Sequence, residues 1–240
     1  MAQEFLKWLG VPVNSAWLDV GCGTGALSQT ILRTHDPNSV KGIDRSDGYV
    51  AYVQEQTNDP RASFGVGDAQ SLPEQNETYD VAVSGFVLNF VPEPLKMVSE
   101  MKRAVRKSGM VALYVWDYAG RMQMMRHFWN AVQALDPDAR ELDEGRRFPL
   151  CNPDALRDLF QKVELNKVET RPIDIATEFK DFDDYWNPFL GGQGPAPGYA
   201  VSLSEEKRTE LRERIRSSLP FALDGSVSLI ARAWAVRGIK

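Results

Sequence analysis

Three glycines at alternate positions, Gly21, Gly23 and Gly25, lie in the stretch Trp17-Leu18-Asp19-Val20-Gly21-Cys22-Gly23-Thr24-Gly25-Ala26-Leu27-Ser28, between a short apolar run and a helical pattern. Glycine is wanted where a chain turns sharply with positive φ and where any side chain would hold a ligand off the backbone. A helix starting near Thr24 would aim its unpaired N–H groups at whatever lies over the loop. That chemistry suits a nucleotide-type ligand. Two acids downstream fit the same ligand. Asp44 closes the apolar run Ser39 to Asp44, where a carboxylate can accept two hydrogen bonds from a ribose diol. Asp68 sits in Gly67-Asp68-Ala69, after the run Ala62 to Val66, and can accept from an adenine amino group while the backbone reads the ring nitrogen. Each acid also has a plainer use, Asp44 as a helix cap and Gly-Asp as a turn.

The elements that must hold these residues read as alternating strands and helices. Glu4 to Leu9 is a short amphipathic helix stopped by Gly10 and Pro12. Strands at Trp17, Ser39 to Asp44, Ala62 to Val66, Tyr79 to Ser84 and Met110 to Trp116 are separated by helices over Thr24 to Thr34, Tyr49 to Gln56 and Pro92 to Lys107. The expected fold class is α/β: a doubly wound, mostly parallel seven-stranded sheet with a C-terminal antiparallel strand and an inserted cap. Strands at Val163 to Thr170 and Ser226 to Val236 complete it, the last read as an edge strand.

Bulk properties narrow the partners. The 240 residues are 25% charged and 43% apolar, with no run long enough to cross a membrane. A net charge of -5 argues against nucleic acid, whose binding needs clustered Lys and Arg. Cys22 and Cys151 have neither metal spacing nor a disulfide framework, and Met1-Ala2-Gln3-Glu4 has no signal-peptide character. The expectation is a cytoplasmic protein with a small-molecule substrate, no membrane, no nucleic acid and no metal.

The Gly loop alone is ambiguous. Gly21, Gly23 and Ala26 fit the dinucleotide fingerprint G-x-G-x-x-G/A, with Asp44 about twenty residues on. Asp19, Gly21, Gly23 and Gly25 fit a second pattern, and here the sequence resembles the class I S-adenosylmethionine-dependent methyltransferases. Asp68 matches the adenine-binding acid of that family, and Leu72-Pro73 its usual continuation. The resemblance covers Trp17 to Tyr118 by motif and the remainder by order of elements. It implies S-adenosylmethionine as cofactor, held by Asp19, Gly21, Cys22, Gly23, Gly25, Asp44, Arg45, Asp68 and Ala69. Ser84, Gly85 and Phe86 would lie beside its methionine half. Two rivals share the loop: an NAD(P)-dependent oxidoreductase, although no Tyr here has Lys four residues later, and a non-catalytic binding protein.

The remaining candidates concern the methyl acceptor. Methyl transfer from a sulfonium is an in-line displacement that mainly needs alignment, and a base is needed only for an acceptor such as a phenol or alcohol. Asp117, Tyr118 and His127 are the candidates for that role. Trp116, Arg146, Tyr185, Trp186 and Phe189 are candidates for the acceptor pocket. The chain reads as one domain over 1–240, with cap or lid elements within 119–153 and 174–224. The second of these is rich in aromatics and carries a Gly/Pro loop from Gly191 to Tyr199.

Overall fold

Strand β1, Ala16–Val20, is buried at all five positions, as an apolar run flanked on both sides by other strands must be. It pairs in parallel with β2, Ser39–Asp44, on one side and β4, Tyr79–Gly85, on the other, Leu18 lying opposite both Lys41 and Ala82. β3, Ala62–Val66, pairs in parallel with β2, and β5, Val105–Trp116, with β4. With β6, Asn166–Phe179, and β7, Val227–Ile239, the sheet runs β3-β2-β1-β4-β5-β7-β6. The structure, a computed structural model, describes residues 1–192 and 194–240. Gln193, in the expected Gly/Pro loop, lies outside the described residues.

The chain forms two compact units. The first comprises Met1–Val115, Asn152–Ile173 and Trp234–Lys240; the second comprises Trp116–Cys151 and Asp174–Ala233. In the first, helices α1 (Ala2–Leu9), α2 (Ala26–Thr34), α3 (Asp47–Gln56) and α4 (Pro94–Ala104) follow the apolar stripes of the sequence; α2 buries Leu27, Ile31 and Leu32. Parallel pairing brings the ends of β1, β2, β3 and β4 to one edge of the sheet. Strand order reverses between β1 and β4, the place where open α/β sheets bind ligands.

The second unit has its own core. α5 (Gln123–Leu135) supplies Phe128, Trp129 and Val132, which meet Tyr185 and Trp186 of α8 (Phe182–Trp186), Phe189, and Leu211 and Ile215 of α10 (Glu205–Ser218). Between these elements lie α6 (Glu144–Arg147) and α9 (Pro195–Ser202); α7 (Pro153–Lys162) belongs to the first unit.

Three expectations change. β7 is no edge strand: it lies between β5 and β6 and runs antiparallel to β5, with Lys240 N–H bonded to the Gly109 carbonyl and Asp117 N–H to that of Arg232. Its alternate residues Val227, Leu229, Ala231 and Ala233 are buried, whereas β6 carries Lys167, Glu169, Arg171, Pro172 and Asp174, the charge and proline typical of an edge. The Gly/Pro loop ends early, because α9 starts at Pro195, a residue suited to a first helical turn. α4 stops at Ala104 and β5 begins at once, its pairing with β4 shifting register between Tyr79 and Val81 while Ser108 takes φ 64°.

Candidate active site

The Gly loop lies in the first unit, between β1 and α2. Gly21 and Cys22 both donate their N–H to the Ile43 carbonyl, at 2.7 and 3.1 Å, and Gly25 N–H bonds the Cys22 carbonyl at 2.9 Å. These bonds fold the loop back over the end of β2. Gly25 has φ 90°, and a Cβ there would come within 2.3 Å of a Val53 methyl. Gly23 has φ 54°, with nothing within 4 Å of where its Cβ would be. One glycine answers to packing and the other to an open face.

Four acids surround this loop or follow it. Asp44, half-buried, accepts Gly23 N–H through Oδ2 at 2.9 Å and Ser46 N–H through Oδ1 at 2.9 Å. Asp68 is held below the usual carboxylate range by the Gln70 N–H on its Oδ1 at 2.8 Å, aided by the Gln70 side chain and the Arg45 charge. Asp19 is 1% exposed; its Oδ2 accepts the Ser28 hydroxyl at 2.6 Å, while Oδ1 has no hydrogen-bond partner among the described residues. Burial pushes the Asp19 carboxyl up to about 6, against the Ser28 hydrogen bonds. The fourth, Asp47, opens α3 behind the Ser46 cap. Burial also raises the Cys22 thiol, which keeps it protonated and unreactive at neutral pH.

Two cavities open on these residues. The larger, about 590 Å³, is lined by Asp44, Arg45, Asp68, Ala69, Gly21 and Phe86 among the expected residues. The smaller, about 230 Å³, is lined by Asp19, Gly21, Cys22, Gly85 and Phe86. Ser84 is buried, and its hydroxyl donates to the Val20 carbonyl at 2.7 Å, fastening β4 to β1. Gly23 and Gly25 shape the loop and appear in neither lining.

Sequence reasoning missed several wall residues. Tyr49, Gln70, Val87, Phe90 and Pro92 line the larger cavity, and Met1, Ala2 and Tyr114 the smaller. Tyr49 falls in the first turn of α3 and Gln70 two residues beyond Asp68, so both were within reach of a local argument. Tyr114 carries no such signal: only the pairing of Gly85 with Tyr114 brings it there. Its ring lies 4.6 Å from both Phe5 and Phe86.

The acceptor-side candidates all lie in the second unit. Asp117 is 7% exposed and caps a turn, its oxygens accepting Gly120 N–H at 3.1 Å and Arg121 N–H at 2.9 Å. Tyr118 lies 5.5 Å from Phe148, and burial raises its phenol. His127 shares a 3.1 Å hydrogen bond between Nδ1 and the Ser218 hydroxyl, and burial lowers its imidazole, leaving it neutral at pH 7. Trp116 is half-buried at the end of β5, and Arg146 is an exposed residue paired with Glu141 at 3.3 Å. Tyr185, Trp186 and Phe189 are 0, 4 and 1% exposed within the second unit's core, and the Tyr185 hydroxyl donates to the Met124 carbonyl at 2.7 Å. Among the described residues, no group of three or more His, Cys, Asp or Glu side chains stands ready to hold a metal. No helix among them is long and apolar enough to cross a membrane.

Comparison with known proteins adds four likenesses. Residues 18–113 match the model of a methyltransferase domain. A demethylmenaquinone methyltransferase of Staphylococcus aureus strain MRSA252 is 35% identical over 184 residues, covering 70% of this chain and 75% of that one. A bifunctional biotin-biosynthesis protein, BioHC of Teredinibacter turnerae, is 29% identical over 119 residues; the match takes in 46% of this chain and 21% of that protein's length. Among solved structures, phosphoethanolamine N-methyltransferase 2 of Haemonchus contortus in complex with S-adenosyl-L-methionine superposes with a TM-score of 0.62 at 16% identity, over 100% of this chain and 52% of that one.

Proposed function

This chain belongs to the class I S-adenosylmethionine-dependent methyltransferase family, and from that premise we propose that it methylates a small, partly apolar molecule at an oxygen, nitrogen or carbon nucleophile. S-adenosylmethionine is the cofactor of that family, and the residues present fit it. Asp44 and Asp68 both line the larger cavity and offer acceptors suited to a diol and an exocyclic amine. Asp19 brings a buried carboxylate to the smaller cavity, with one oxygen still unpartnered. A buried oxygen without a partner is costly, and a ligand ammonium group would relieve it. That oxygen is the observation that carries the reading.

When bound, the cofactor supplies a methyl group already activated on a sulfonium, so the chain's task is to bind, orient and exclude water. Gly23 leaves the backbone open to close approach, whereas Val87 packs where a Cβ on Gly21 would lie. Asp44 would hold the ribose hydroxyls and Asp68 the adenine amine. Asp19 would hold the methionine ammonium, and Phe86 would wall off the reacting end. The net charge of -5 disfavours a polynucleotide as acceptor.

The test is calorimetry with S-adenosylmethionine, S-adenosylhomocysteine, NAD and NADP, followed by methyl-transfer assays on phenols, quinols, amines and carboxylic acids. Binding of the first two alone supports the reading; at a hundred times its dissociation constant either would add about 2.7 kcal/mol of stability. Stabilisation by the nicotinamide cofactors instead would overturn it.

A further inference from the structure

A third cavity of the first unit lies away from the glycine loop. It measures about 280 Å³ and sits at the opposite edge of the sheet, where Ser15 leads into β1 and Asp80 and Val81 begin β4. Val81 lines this cavity and Gly85 the smaller cavity beside the glycine loop; they are four residues apart on β4, about 13 Å at 3.3 Å per residue. A methyl group carried at the glycine loop does not reach across that distance, so this cavity lies outside the candidate active site.

Its lining divides by chemistry. Val11, Pro12, Val81, Met110 and Ile239 supply apolar surface, and Arg106, Lys107 and Asp80 supply charge. The segment Arg106-Lys107-Ser108-Gly109 bulges here because β5 pairs with Tyr79 at Val105 and with Val81 only at Met110, so four residues face the single residue Asp80. Asp80 fixes one end of the bulge: its Oδ2 accepts the Ala16 N–H and its Oδ1 an Arg106 Nη1 hydrogen, both at 2.7 Å. The Arg106 side chain is nonetheless 53% exposed, and its Nε and Nη2 donors meet no acceptor among the described residues. Lys107, exposed beside it, has no ion pair among them either.

A guanidinium held through one nitrogen, with its Nε and Nη2 edge free, has the geometry that takes a carboxylate through two parallel hydrogen bonds. Two cations against one acid leave the lining with a net charge of +1, in a chain whose own net charge is -5. That excess matches a monoanion, and the apolar lining matches a hydrocarbon body. A phosphate dianion would be left half neutralised and would bring no apolar surface to bury.

We propose that this cavity is a second ligand site, one that takes a small carboxylate with an apolar body, Arg106 gripping the carboxylate and Lys107 adding charge. The site goes beyond the methyltransferase reading and stands without it.

The experiment is an amide chemical-shift titration of the full chain with 4-phenylbutyrate, its neutral amide and inorganic phosphate, repeated with S-adenosylhomocysteine present. The carboxylate should give saturable shifts at Ser15, Lys107, Gly109 and Met110 that S-adenosylhomocysteine leaves in place, and the amide and phosphate should each bind about ten-fold more weakly. Arg106→Gln should weaken 4-phenylbutyrate by about ten-fold, the equivalent of 1.4 kcal/mol, and Lys107→Gln by about three-fold. Arg106→Lys keeps the charge but loses the fork, and should fall near Arg106→Gln. Shifts confined to Gly85, Phe86 and Tyr114, and abolished by S-adenosylhomocysteine, would put the probe at the glycine loop and overturn the proposal while leaving the methyltransferase reading intact. Affinity kept in both glutamine variants, tighter binding of phosphate, or no shift at millimolar 4-phenylbutyrate would overturn it as well. Failure of S-adenosylhomocysteine to bind would count against the methyltransferase reading alone, because the titration is complete without it.

Discussion

The Asp44 carboxylate accepts the amide hydrogen of Gly23 at 2.9 Å, tying the end of β2 to the middle of the glycine loop. The acid placed to hold a ribose is therefore also the acid that sets the loop's position. Asp44→Ala removes both functions. It should weaken S-adenosylmethionine binding by ten- to a hundred-fold in calorimetry, since a hydrogen bond to a charged group is worth about 1.5–3 kcal/mol. Asp44→Asn keeps one acceptor oxygen and should fall between. Affinity unchanged in the alanine variant would remove Asp44 from the site.

Gly23 and Gly25 make a contrasting pair. Both have positive φ, but a Cβ on Gly25 would collide with Val53 whereas one on Gly23 meets nothing within 4 Å. Gly23→Ala should cost about 1 kcal/mol in a denaturant melt, the strain of a left-handed alanine, while cutting cofactor affinity at the open face. Gly25→Ala adds overpacking of about 1–3 kcal/mol and should lower the melting point further. Equal stability losses for the two would contradict the contact between Gly25 and Val53.

Asp19 makes stability depend on pH. Its folded-state pKa is raised from 3.8 to about 6, so the folded chain keeps this proton after the unfolded chain has released it. Stability from this group is then greatest below about pH 4 and declines as pH climbs to 6, where the buried carboxyl must ionise. The shift corresponds to roughly 3 kcal/mol. Asp19→Asn should flatten that decline and raise stability at pH 7.5, yet weaken S-adenosylmethionine binding there, because the ionised carboxylate meets the ligand's ammonium. Urea melts from pH 4 to 8 with calorimetry at pH 7.5 would show it. A variant less stable than wild type at pH 7.5 would count against it.

Trp186 tests the second unit. It is 4% exposed, stacked with Phe182 at an interplanar angle of 8° and close to Phe189. Trp186→Ala should therefore cost about 3–5 kcal/mol by opening a cavity in that core. Fluorescence-detected unfolding would report the loss, and a chain as stable as wild type would show the core to be loosely held.

The first half of the fold was legible because its strands are short, buried and bounded by glycines, so period and punctuation agree. Asp44 and Asp68 could be read as candidates because the first ends β2 and the second follows β3 by two residues, strands whose parallel pairing is implied by the helix between. Tyr114 could not, since it reaches the smaller cavity through the register of β4 with β5, a long-range fact with no local trace. β7 was misplaced for the same reason. Its alternation is that of any half-covered strand, and insertion between β5 and β6 depends on pairing partners far off in sequence. The aromatics of 179–189 announced burial without saying against what; their partners are Phe128, Trp129 and the α10 residues Leu211 and Ile215.

The position of β7 also orders events during synthesis. β5 and β6 are translated well before residues 227–239, and until that segment emerges each presents bare N–H and C=O groups along the side that β7 will cover. A nascent chain paused in this state offers two open strand templates, the kind of surface that pairs wrongly with a neighbour. Because the covering contacts span more than a hundred residues, as in the Lys240 bond to Gly109, closure of the sheet is a late step of high contact order. Ribosome-bound chains stalled before Val227 should thus depend on chaperones in a way that the released protein does not.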